Sequence, residues 1–279
     1  MSKCSLDIII TCSLGLETGL RNHFPHFKKQ LPNYTLDLVE WYNKSMISFA
    51  KQPEHVQALS LPGRILSKTS EKTFRGVANA LNPDYRKFYY ATRFTEAYKL
   101  LNESIIKDGV TNIVDYGRGL SPLIHLLKTK YPHIRIFSKE IHPVANAIDA
   151  MICEKYNMVP NTIIQDLREL NPKETALASL GTFTYINAEE QVKELEYIAK
   201  NFPRFLIELD MENADLNEGD NKFIRKLFGT GKYNPLSVSE IQRIFGKDMP
   251  IVMPDFDTGD LPNNIAKAIY TANECFVRK

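Results

Sequence analysis

The sequence predicts an α/β protein with a doubly wound, mostly parallel sheet of seven strands, preceded by an N-terminal α+β cap. Two observations lead to this fold class. From residue 111 onward, short apolar runs alternate with helical patterns, which is typical of βαβ units. Residues 1–110 lack that alternation. We therefore expect a cap over residues 1–108 and a larger domain over residues 109–279.

The larger domain contains the predicted strands, each an apolar run bounded by polar or turn residues. They lie at residues 113–115, 134–140, 162–165, 176–180, 205–209, 250–253 and 269–277. Helices are predicted at residues 121–131, 143–156, 188–201 and 237–245. Ser121 and Pro122 make a favourable N-cap and first-turn pair for the first of these helices. We expect the last two strands to pair as a hairpin.

In the cap, residues 6–11 and 46–49 are predicted to be strands. Helices are predicted there at residues 16–27, 56–65 and 92–107. The cap is also the basic part of the chain. Residues 1–110 hold 15 Lys and Arg against 10 Asp and Glu, whereas the rest holds 20 against 23. This asymmetry is compatible with a polyanionic partner and equally with an ordinary solvated surface.

The composition indicates an ordinary globular chain, with 43% hydrophobic and 24% charged residues in 279. No apolar run approaches the roughly 18 residues of a membrane helix, so no membrane partner is expected. The cysteines, Cys4, Cys12, Cys153 and Cys275, are scattered and lack the CxxC spacing of zinc sites. We therefore expect no bound metal and a reducing, cytoplasmic location.

The most informative segment is a glycine turn between the first predicted strand of the larger domain and its helix. It reads Asp115-Tyr116-Gly117-Arg118-Gly119-Leu120-Ser121. A strand, a glycine turn and a helix N-terminus together form a site for a nucleotide-like ligand. A dinucleotide fingerprint needs a third glycine where Pro122 stands, which argues against NAD or FAD. No Gly-Lys-Ser/Thr follows, so a P-loop is excluded.

Two further acids follow the next two predicted strands. Glu140 stands 21 residues after Gly119, and Asp166 follows the third strand. In a parallel sheet the carboxyl ends of the strands lie at one edge, so we expect Asp115, Glu140 and Asp166 to lie near one another.

The turn resembles motif I of class I S-adenosylmethionine-dependent methyltransferases, and the likeness covers roughly residues 111–279. It implies a Rossmann-like domain that binds S-adenosyl-L-methionine through this turn. In such proteins the acid of the turn helps hold the ammonium group of the cofactor. The resemblance also implies that Glu140 binds the ribose hydroxyls and Asp166 the adenine amino group. The cofactor-binding residues expected in the turn are Asp115, Tyr116, Gly117, Gly119 and Ser121.

Two subfamilies are locally similar. The piece from Ile113 to Leu123 looks like motif I of aminoglycoside-resistance rRNA methyltransferases, and its Gly-Leu-Ser-Pro also resembles polyketide and leucine-carboxyl O-methyltransferases. The latter often carry a Glu-Gly-hydrophobic segment farther on, to which Leu180-Gly181-Thr182-Phe183 is similar with Leu180 in place of the Glu. This likeness implies that Gly181 lies at the cofactor. It also implies that Arg93 corresponds to their carboxylate-binding arginine, although an ordinary surface position is an open alternative.

The N-terminal segment from Asp7 to Glu17, with its Gly15-Leu16-Glu17, resembles the opening of THUMP-containing RNA methyltransferases. In those proteins a strand comes first, and Gly-Leu-Glu starts a helix. The likeness implies a small ferredoxin-like unit ahead of an RNA-binding part. Generic helix capping explains the same residues equally well.

The predicted function is therefore methyl transfer from S-adenosylmethionine, with rRNA or tRNA favoured as the acceptor and hence a role in RNA modification. A small-molecule or carboxyl O-methyltransferase and a non-catalytic cofactor-binding module are the alternatives. No catalytic base can be assigned. Tyr185 and Asp210 are the candidates, because they follow the fourth and fifth predicted strands.

Overall fold

The fold is described from a computed structural model. It describes residues 6–27, 31–57, 59–82, 84–107, 109–117, 122–141, 143–155, 157–183, 186–210, 235–247, 251–252 and 274–278. The helices are α1 (Leu6–Phe27), α2 (Thr35–Ala50), α3 (Pro53–Val56), α4 (Leu61–Ser67), α5 (Glu71–Leu81), α6 (Asp84–Leu100), α7 (Leu123–Lys130), α8 (Pro143–Lys155), α9 (Ala188–Asn201) and α10 (Val238–Phe245). The strands are β1 (Asn112–Tyr116), β2 (Arg135–Lys139), β3 (Thr162–Ile163), β4 (Thr175–Ser179), β5 (Phe205–Asp210), β6 (Ile251–Val252) and β7 (Glu274–Arg278).

The strands form one sheet in the order β3-β2-β1-β4-β5-β7-β6. The first five are parallel, and β7 runs antiparallel to both β5 and β6. The predicted mostly parallel, doubly wound sheet is therefore confirmed. The chain crosses to the other side of β1 when it enters β4, so the order reverses between these two strands. Ligands of open α/β sheets bind at such a point, outside the carboxyl ends of the strands.

Two apolar cores cover the two faces of the sheet. On one face, Ile113 and Ala178 of the strands pack with α1, α2, α6 and α7. On the other face, Val114 and Phe205 pack with α9 and α10. Successive strand residues point to opposite faces, so each strand contributes to both cores in alternation. A third cluster joins α1, α2 and α5 to α8.

The α+β cap is a wrong prediction, because every regular element in the described part of residues 1–108 is helical. Residues 6–11 belong to α1, and residues 46–49 belong to α2. The apolar runs that suggested strands pack against other helices: Ile10, Met46 and Ile47 are fully buried in the third cluster. A short apolar run does not by itself distinguish a strand from a buried helix segment.

The glycines of the supposed helix entry instead lie within α1. Gly15 and Gly19 are one turn apart and face α6, where a Cβ at Gly19 would overlap the carbonyl oxygen of Lys87. The two glycines let α1 and α6 approach closely, which is their physical role here. The ferredoxin-like opening expected from the THUMP resemblance is therefore wrong for the described residues from Leu6 onward.

A polar network also fixes α1 within the helical part. Glu17 is buried and forms an ion pair with Arg75 of α5, with 2.8 Å between Oε2 and Nη1. Asn43 of α2 donates to the same carboxylate over 2.9 Å, and Ser13 donates to Asn43. A buried carboxylate needs such partners, because its desolvation would otherwise be costly. Glu17 thus connects three helices rather than capping one.

The ends of the other helices differ less from their predicted positions. The helix predicted at residues 56–65 is two short helices, α3 and α4, and α4 begins after Ser60, whose Oγ accepts from the Gly63 N–H. The helix predicted at residues 92–107 begins earlier, as α6, and ends in a π-helical turn, Leu101–Ile105. The residue preceding α7 is Pro122 rather than the predicted cap Ser121. Within the described chain, no helix has both the length and the apolarity needed to cross a membrane.

Candidate cofactor site

The candidate site lies at the carboxyl ends of β1 and β4, where the strand order reverses. Two side chains after β4 bind the backbone at the end of β1. Ser179 Oγ donates to the carbonyl oxygen of Tyr116 over 3.0 Å, and Thr182 Oγ1 donates to that of Gly117 over 2.8 Å. The turn that follows β1 is therefore held in place by the turn that follows β4.

Both turns depend on glycine. Gly117 has φ +65° and Gly181 has φ +63°. Both values lie in the left-handed region of backbone conformation, which residues with a side chain rarely adopt. A Cβ at Gly117 would overlap the Thr182 side chain, and a Cβ at Gly181 would overlap the Arg93 guanidinium. Glycine is therefore required at both positions for conformation and for space.

Asp115 and Tyr116 are neighbours in β1 but point to opposite faces of the sheet. Asp115 is buried on the face that carries the N-terminal helices. Tyr116 lies in the other core, where its ring stacks on Phe183 with centroids 4.7 Å apart. The Lys139 ammonium lies 4.7 Å from the centre of the same ring. Burial raises the pKa of Tyr116 well above its ordinary value, so the phenol stays protonated at neutral pH. Its side chain packs in the core, while its carbonyl group lies at the turn.

Glu140 follows β2 directly and is almost fully buried, whereas the next residue, Ile141, is 79% exposed. Asn146 of α8 donates from Nδ2 to the Glu140 carbonyl oxygen over 3.0 Å and fixes the backbone there. The carboxyl end of β2 thus presents a carboxylate and an exposed apolar side chain next to each other.

Asp166 lies at the same edge but is exposed and already has local partners. Its carboxylate accepts from the Arg168 N–H over 2.9 Å and pairs with the Arg168 guanidinium over 2.8 Å. The backbone hydrogen bond and the guanidinium lower the pKa of Asp166. Glu169 completes a capping box by accepting from the Asp166 N–H. Asp166 therefore begins a short 3₁₀ helix, Leu167–Glu169, in this structure.

Arg93 of α6 is half-buried, with 18% of its side chain exposed, rather than an ordinary exposed surface residue. Its guanidinium contacts Gly181 and forms a two-pronged ion pair with Glu208 of β5. Glu208 is 1% exposed. Sequence reasoning did not identify Glu208 as a site residue. The sequence does contain an indication of it: Glu208 is the one acid in the otherwise apolar strand Phe205–Leu206–Ile207–Glu208–Leu209. A charged side chain in such a strand is expected to be buried and therefore to need a partner of opposite charge.

Of the other predicted site residues, Gly119, Ser121 and Tyr185 lie outside the described residues, and so does the side chain of Asp210. The predicted binding residues that the structure describes all lie at the carboxyl edge of the sheet: Arg93, Asp115, Tyr116, Gly117, Glu140, Asp166 and Gly181. Thr182 joins them, as a member of the Leu180–Phe183 segment that the sequence predicts to line the transfer site, although it was not among the predicted binding residues. The edge therefore combines two buried carboxylates, two glycine turns and one exposed apolar side chain.

The groups at this edge fit the parts of S-adenosylmethionine. Carboxylates accept hydrogen bonds from an ammonium group or a ribose diol, and an exposed aliphatic side chain gives a purine ring an apolar surface. Glycine turns let backbone N–H groups approach a ligand closely. The edge thus has the acceptor groups that the cationic amino-acid end and the ribose would need.

A parallel sheet with this strand order and a glycine turn after β1 is an α/β fold of the nucleotide-binding type. Comparison with solved structures shows which type of α/β fold this is. A proposed methyltransferase from Thermobifida fusca YX is similar to this chain with a TM-score of 0.53 and 16% sequence identity, over 76% of this chain and 90% of that one. The chain therefore has a methyltransferase-type α/β fold.

More distant likenesses include geranyl diphosphate C-methyltransferase from Streptomyces coelicolor, with a TM-score of 0.46 and 14% identity over 65% of this chain and 77% of that one. Magnesium protoporphyrin IX methyltransferase from Synechocystis has a TM-score of 0.43 and 13% identity, over 70% and 83% of the two chains. No protein-family model matches the sequence, and no curated protein matches it either.

Proposed function

We propose that this protein is a methyltransferase that uses S-adenosyl-L-methionine. The observation that carries the proposal is the carboxyl edge of the sheet, where buried Asp115 and buried Glu140 flank a glycine turn at the point of strand reversal. The methyltransferase-type fold supports the same conclusion.

The proposed roles follow from position. Asp115 binds the ammonium group of the cofactor, Glu140 binds the ribose hydroxyls, and Ile141 contacts the adenine ring. Gly117 and Gly119 let the backbone approach the ligand, with Ser121 and the carbonyl group of Tyr116 in the same turn. Asp166 reaches the adenine amino group while it caps its short helix.

When bound, the cofactor would supply a methyl group on its sulfonium, which an acceptor atom could take in line as the carbon–sulfur bond breaks and the neutral thioether leaves. Catalysis of such a step rests mainly on positioning the two reactants. The chain positions the cofactor through the two linked turns, and Gly181 and Thr182 border the transfer site. Tyr185 and Asp210 stay candidates for the base, as predicted from the sequence.

Arg93 is proposed to bind the carboxylate of the cofactor. A guanidinium has five N–H donors, so one arginine can serve a protein carboxylate and a ligand carboxylate together. Glu208 would then act as a positioning residue that holds Arg93 against Gly181. This pairing also offsets the charge of Glu208, which would otherwise be costly to bury.

A small polar molecule is the acceptor that the described part of the site favours. The helical part of the chain reaches the proposed transfer site through α6, where Arg93 is paired with buried Glu208 rather than part of an open basic surface. This arrangement favours a small-molecule O-methyltransferase. The THUMP-like argument for RNA no longer applies, because α1 is one continuous helix over the residues concerned.

RNA is the second candidate, and the observation that favours it is the excess of basic residues in residues 1–110. We propose that residues 1–108 form the acceptor-facing part and residues 109–279 the cofactor-binding part. We propose a cytoplasmic location, because cysteines scattered along the chain suit a reducing compartment.

Isothermal titration with S-adenosylmethionine and, separately, with NAD tests the cofactor. We expect binding of the first alone; the absence of binding, or tight binding of NAD, would contradict the proposal. Transfer of a tritiated methyl group into fractionated cell extract then tests catalysis without assuming an acceptor. Cofactor binding without any transfer would favour a non-catalytic module.

The salt dependence of binding to bulk RNA separates the two acceptors. Phosphate contacts release counterions, so binding to RNA weakens steeply as salt is raised. For a small-molecule methyltransferase we expect weak RNA binding and radiolabel in the low-molecular-weight fractions. Radiolabel in RNA, together with RNA binding that weakens steeply as salt is raised, would make RNA the favoured acceptor instead.

A further inference from the structure

We propose that Lys128 of α7 and Cys153 of α8 are a peroxide-modification site, at which the two side chains become joined by a nitrogen–oxygen–sulfur bridge. The pair lies in a buried polar cluster that the proposed function does not use. The cluster comprises His125, Lys128, Asp149 and Cys153, all of them buried.

The cluster is a chain of hydrogen bonds in which the thiol occupies the middle. Lys128 Nζ donates to Cys153 Sγ over 3.2 Å, and the thiol donates toward Asp149 Oδ1 over 3.9 Å. His125 Nε2 lies 2.8 Å from the same carboxylate oxygen. Lys128 also donates to the carbonyl oxygen of Val159, which fixes its ammonium beside the sulfur. The nitrogen and the sulfur that the bridge would join through one oxygen therefore already lie in contact.

A bound metal is the rival interpretation. His125, Asp149 and Cys153 place one donor atom each within 4.8 Å of one another, in the part of the chain that the structure describes. The position of Lys128 argues against a metal. Its ammonium is already 3.2 Å from the sulfur, so a divalent cation bound to the same sulfur would be repelled by it. Without a metal the charges of Lys128 and Asp149 balance, with the thiol between them.

The reaction needs two molecules of hydrogen peroxide. In the first step the thiol proton passes to Asp149, and the sulfur attacks one peroxide oxygen. An S–O bond forms and the O–O bond breaks. The departing hydroxide takes a proton from the Lys128 ammonium and leaves as water. The products are a sulfenic acid and a neutral amine.

In the second step the amine nitrogen attacks the second peroxide, forming an N–O bond, and water leaves. The resulting hydroxylamine oxygen then attacks the sulfenic sulfur and displaces its hydroxyl as a third water. The side chains are joined as S–O–N, and the net change is the gain of one oxygen and the loss of two hydrogens. Sulfenic acid is the usual first oxidation product of a cysteine, and it condenses readily with a nearby nucleophile.

The position of the bridge makes it independent of the proposed function. Lys128 and Cys153 both stand near the carboxyl ends of their helices, whereas the candidate cofactor site lies where α7 and α8 begin. A bridge would tie together the two helices that follow β1 and β2. Peroxide is nearly as small as water and can reach the buried thiol through local opening of the helices.

The test is the mass of the reduced, full-length protein before and after brief treatment with hydrogen peroxide. We expect a gain of about 14 Da, the difference of one oxygen and two hydrogens, that dithiothreitol reverses. Trypsin should no longer cleave after Lys128, and a peptide containing both Lys128 and Cys153 should appear. These readouts need no cofactor, so they succeed or fail independently of the methyltransferase proposal.

Lys128→Arg and Cys153→Ser should abolish the 14 Da product, whereas Cys12→Ser should form it as the wild type does. Cys12 is the matched control, because the partner of its thiol is the Tyr90 hydroxyl, at 3.3 Å. The proposal is overturned if Cys153 gains about 16 or 32 Da, as an unlinked sulfenic or sulfinic acid, while trypsin still cleaves after Lys128. Retention of Zn²⁺ by the wild type and not by Cys153→Ser would overturn it in favour of a metal centre. Peptide mapping of the wild type alone decides the matter should a variant fail to fold.

Discussion

Thr182 donates a hydrogen bond of 2.8 Å to the carbonyl oxygen of Gly117 and thereby joins the turns that follow β4 and β1. The two residues are 65 positions apart in the sequence. Because Thr182 fills the space beside Gly117, the shape of the glycine turn depends on the segment after β4. The glycine turn after β1 and the turn after β4 are therefore one structural unit.

Gly117→Ala should reduce stability more than Gly109→Ala. Both glycines have positive φ, so each alanine should cost about 1–2 kcal/mol of backbone strain. At Gly117 the new methyl group also overlaps Thr182, which adds about 1–3 kcal/mol, whereas nothing lies within 4 Å of a Cβ at Gly109. Urea unfolding of the two variants measures the difference. Equal losses would show that Thr182 moves aside without cost.

Glu140→Ala should weaken S-adenosylmethionine binding by about 1–3 kcal/mol, the usual loss for hydrogen bonds to a charged group. Glu174→Ala is the matched control, because Glu174 precedes β4 and so lies at the opposite edge of the sheet. Titration calorimetry should give wild-type affinity for the control. Equal affinities for wild type and Glu140→Ala would mean that the ribose is bound elsewhere.

Removing one partner of the Arg93–Glu208 pair should cost about 3–5 kcal/mol of stability, because the charge left behind is largely shielded from water, with side-chain exposures of 18% for Arg93 and 1% for Glu208. We expect Arg93→Met and Glu208→Leu each to show this loss in urea unfolding. The double variant should lose much less than their sum, since neither charge is then left alone. Additive losses would mean that the two side chains do not depend on each other. The exposed ion pair of Glu189 with Lys193 is the control, and Glu189→Gln should have no measurable effect.

Gly19→Ala and Gly76→Ala should change stability in opposite directions, although both glycines are helical. At Gly19 the methyl group overlaps the backbone of α6, and overpacking of this kind costs about 1–3 kcal/mol. At Gly76 nothing lies within 4 Å of an added Cβ, so the higher helix propensity of alanine should stabilise by about 0.5–1 kcal/mol. Thermal unfolding followed by circular dichroism gives both signs. If Gly19→Ala left the stability unchanged, α1 and α6 would have to lie farther apart than this structure shows.

Glu240 should stabilise α10 only above acidic pH. Hydrogen bonds from the backbone and side chain of Ser237 lower the pKa of Glu240 below its ordinary value of 4.5. A carboxyl whose pKa is lowered by folding adds stability above its unfolded pKa and loses it as the pH falls through the folded value. Wild type should therefore exceed Glu240→Gln in stability at pH 7, and the gap should close toward pH 3 (about one to two units below that ordinary value). Urea unfolding at the two pH values is the measurement, and a gap independent of pH would exclude the charge as its cause.

The part of the fold that sequence reasoning predicted well is the part with a regular local pattern. The strands β1, β2, β4 and β5 and the helix α9 lie where alternating apolar runs and helical spacing indicated. The N-terminal strands were wrong because residues 6–11 and 46–49 are short apolar runs, and their burial among helices produces the same pattern as a buried strand.

The doubly wound sheet, the glycine turn and the acids at the strand ends can be predicted from the sequence, because each depends on residues that are close along the chain. Three contacts are visible only in the folded molecule: Arg93 with Glu208, Thr182 with Gly117, and Lys128 with Cys153. These contacts join residues 25 to 115 positions apart. No local periodicity encodes such a contact, because it depends on how helices and strands pack, and side-chain packing is settled only when the whole fold forms.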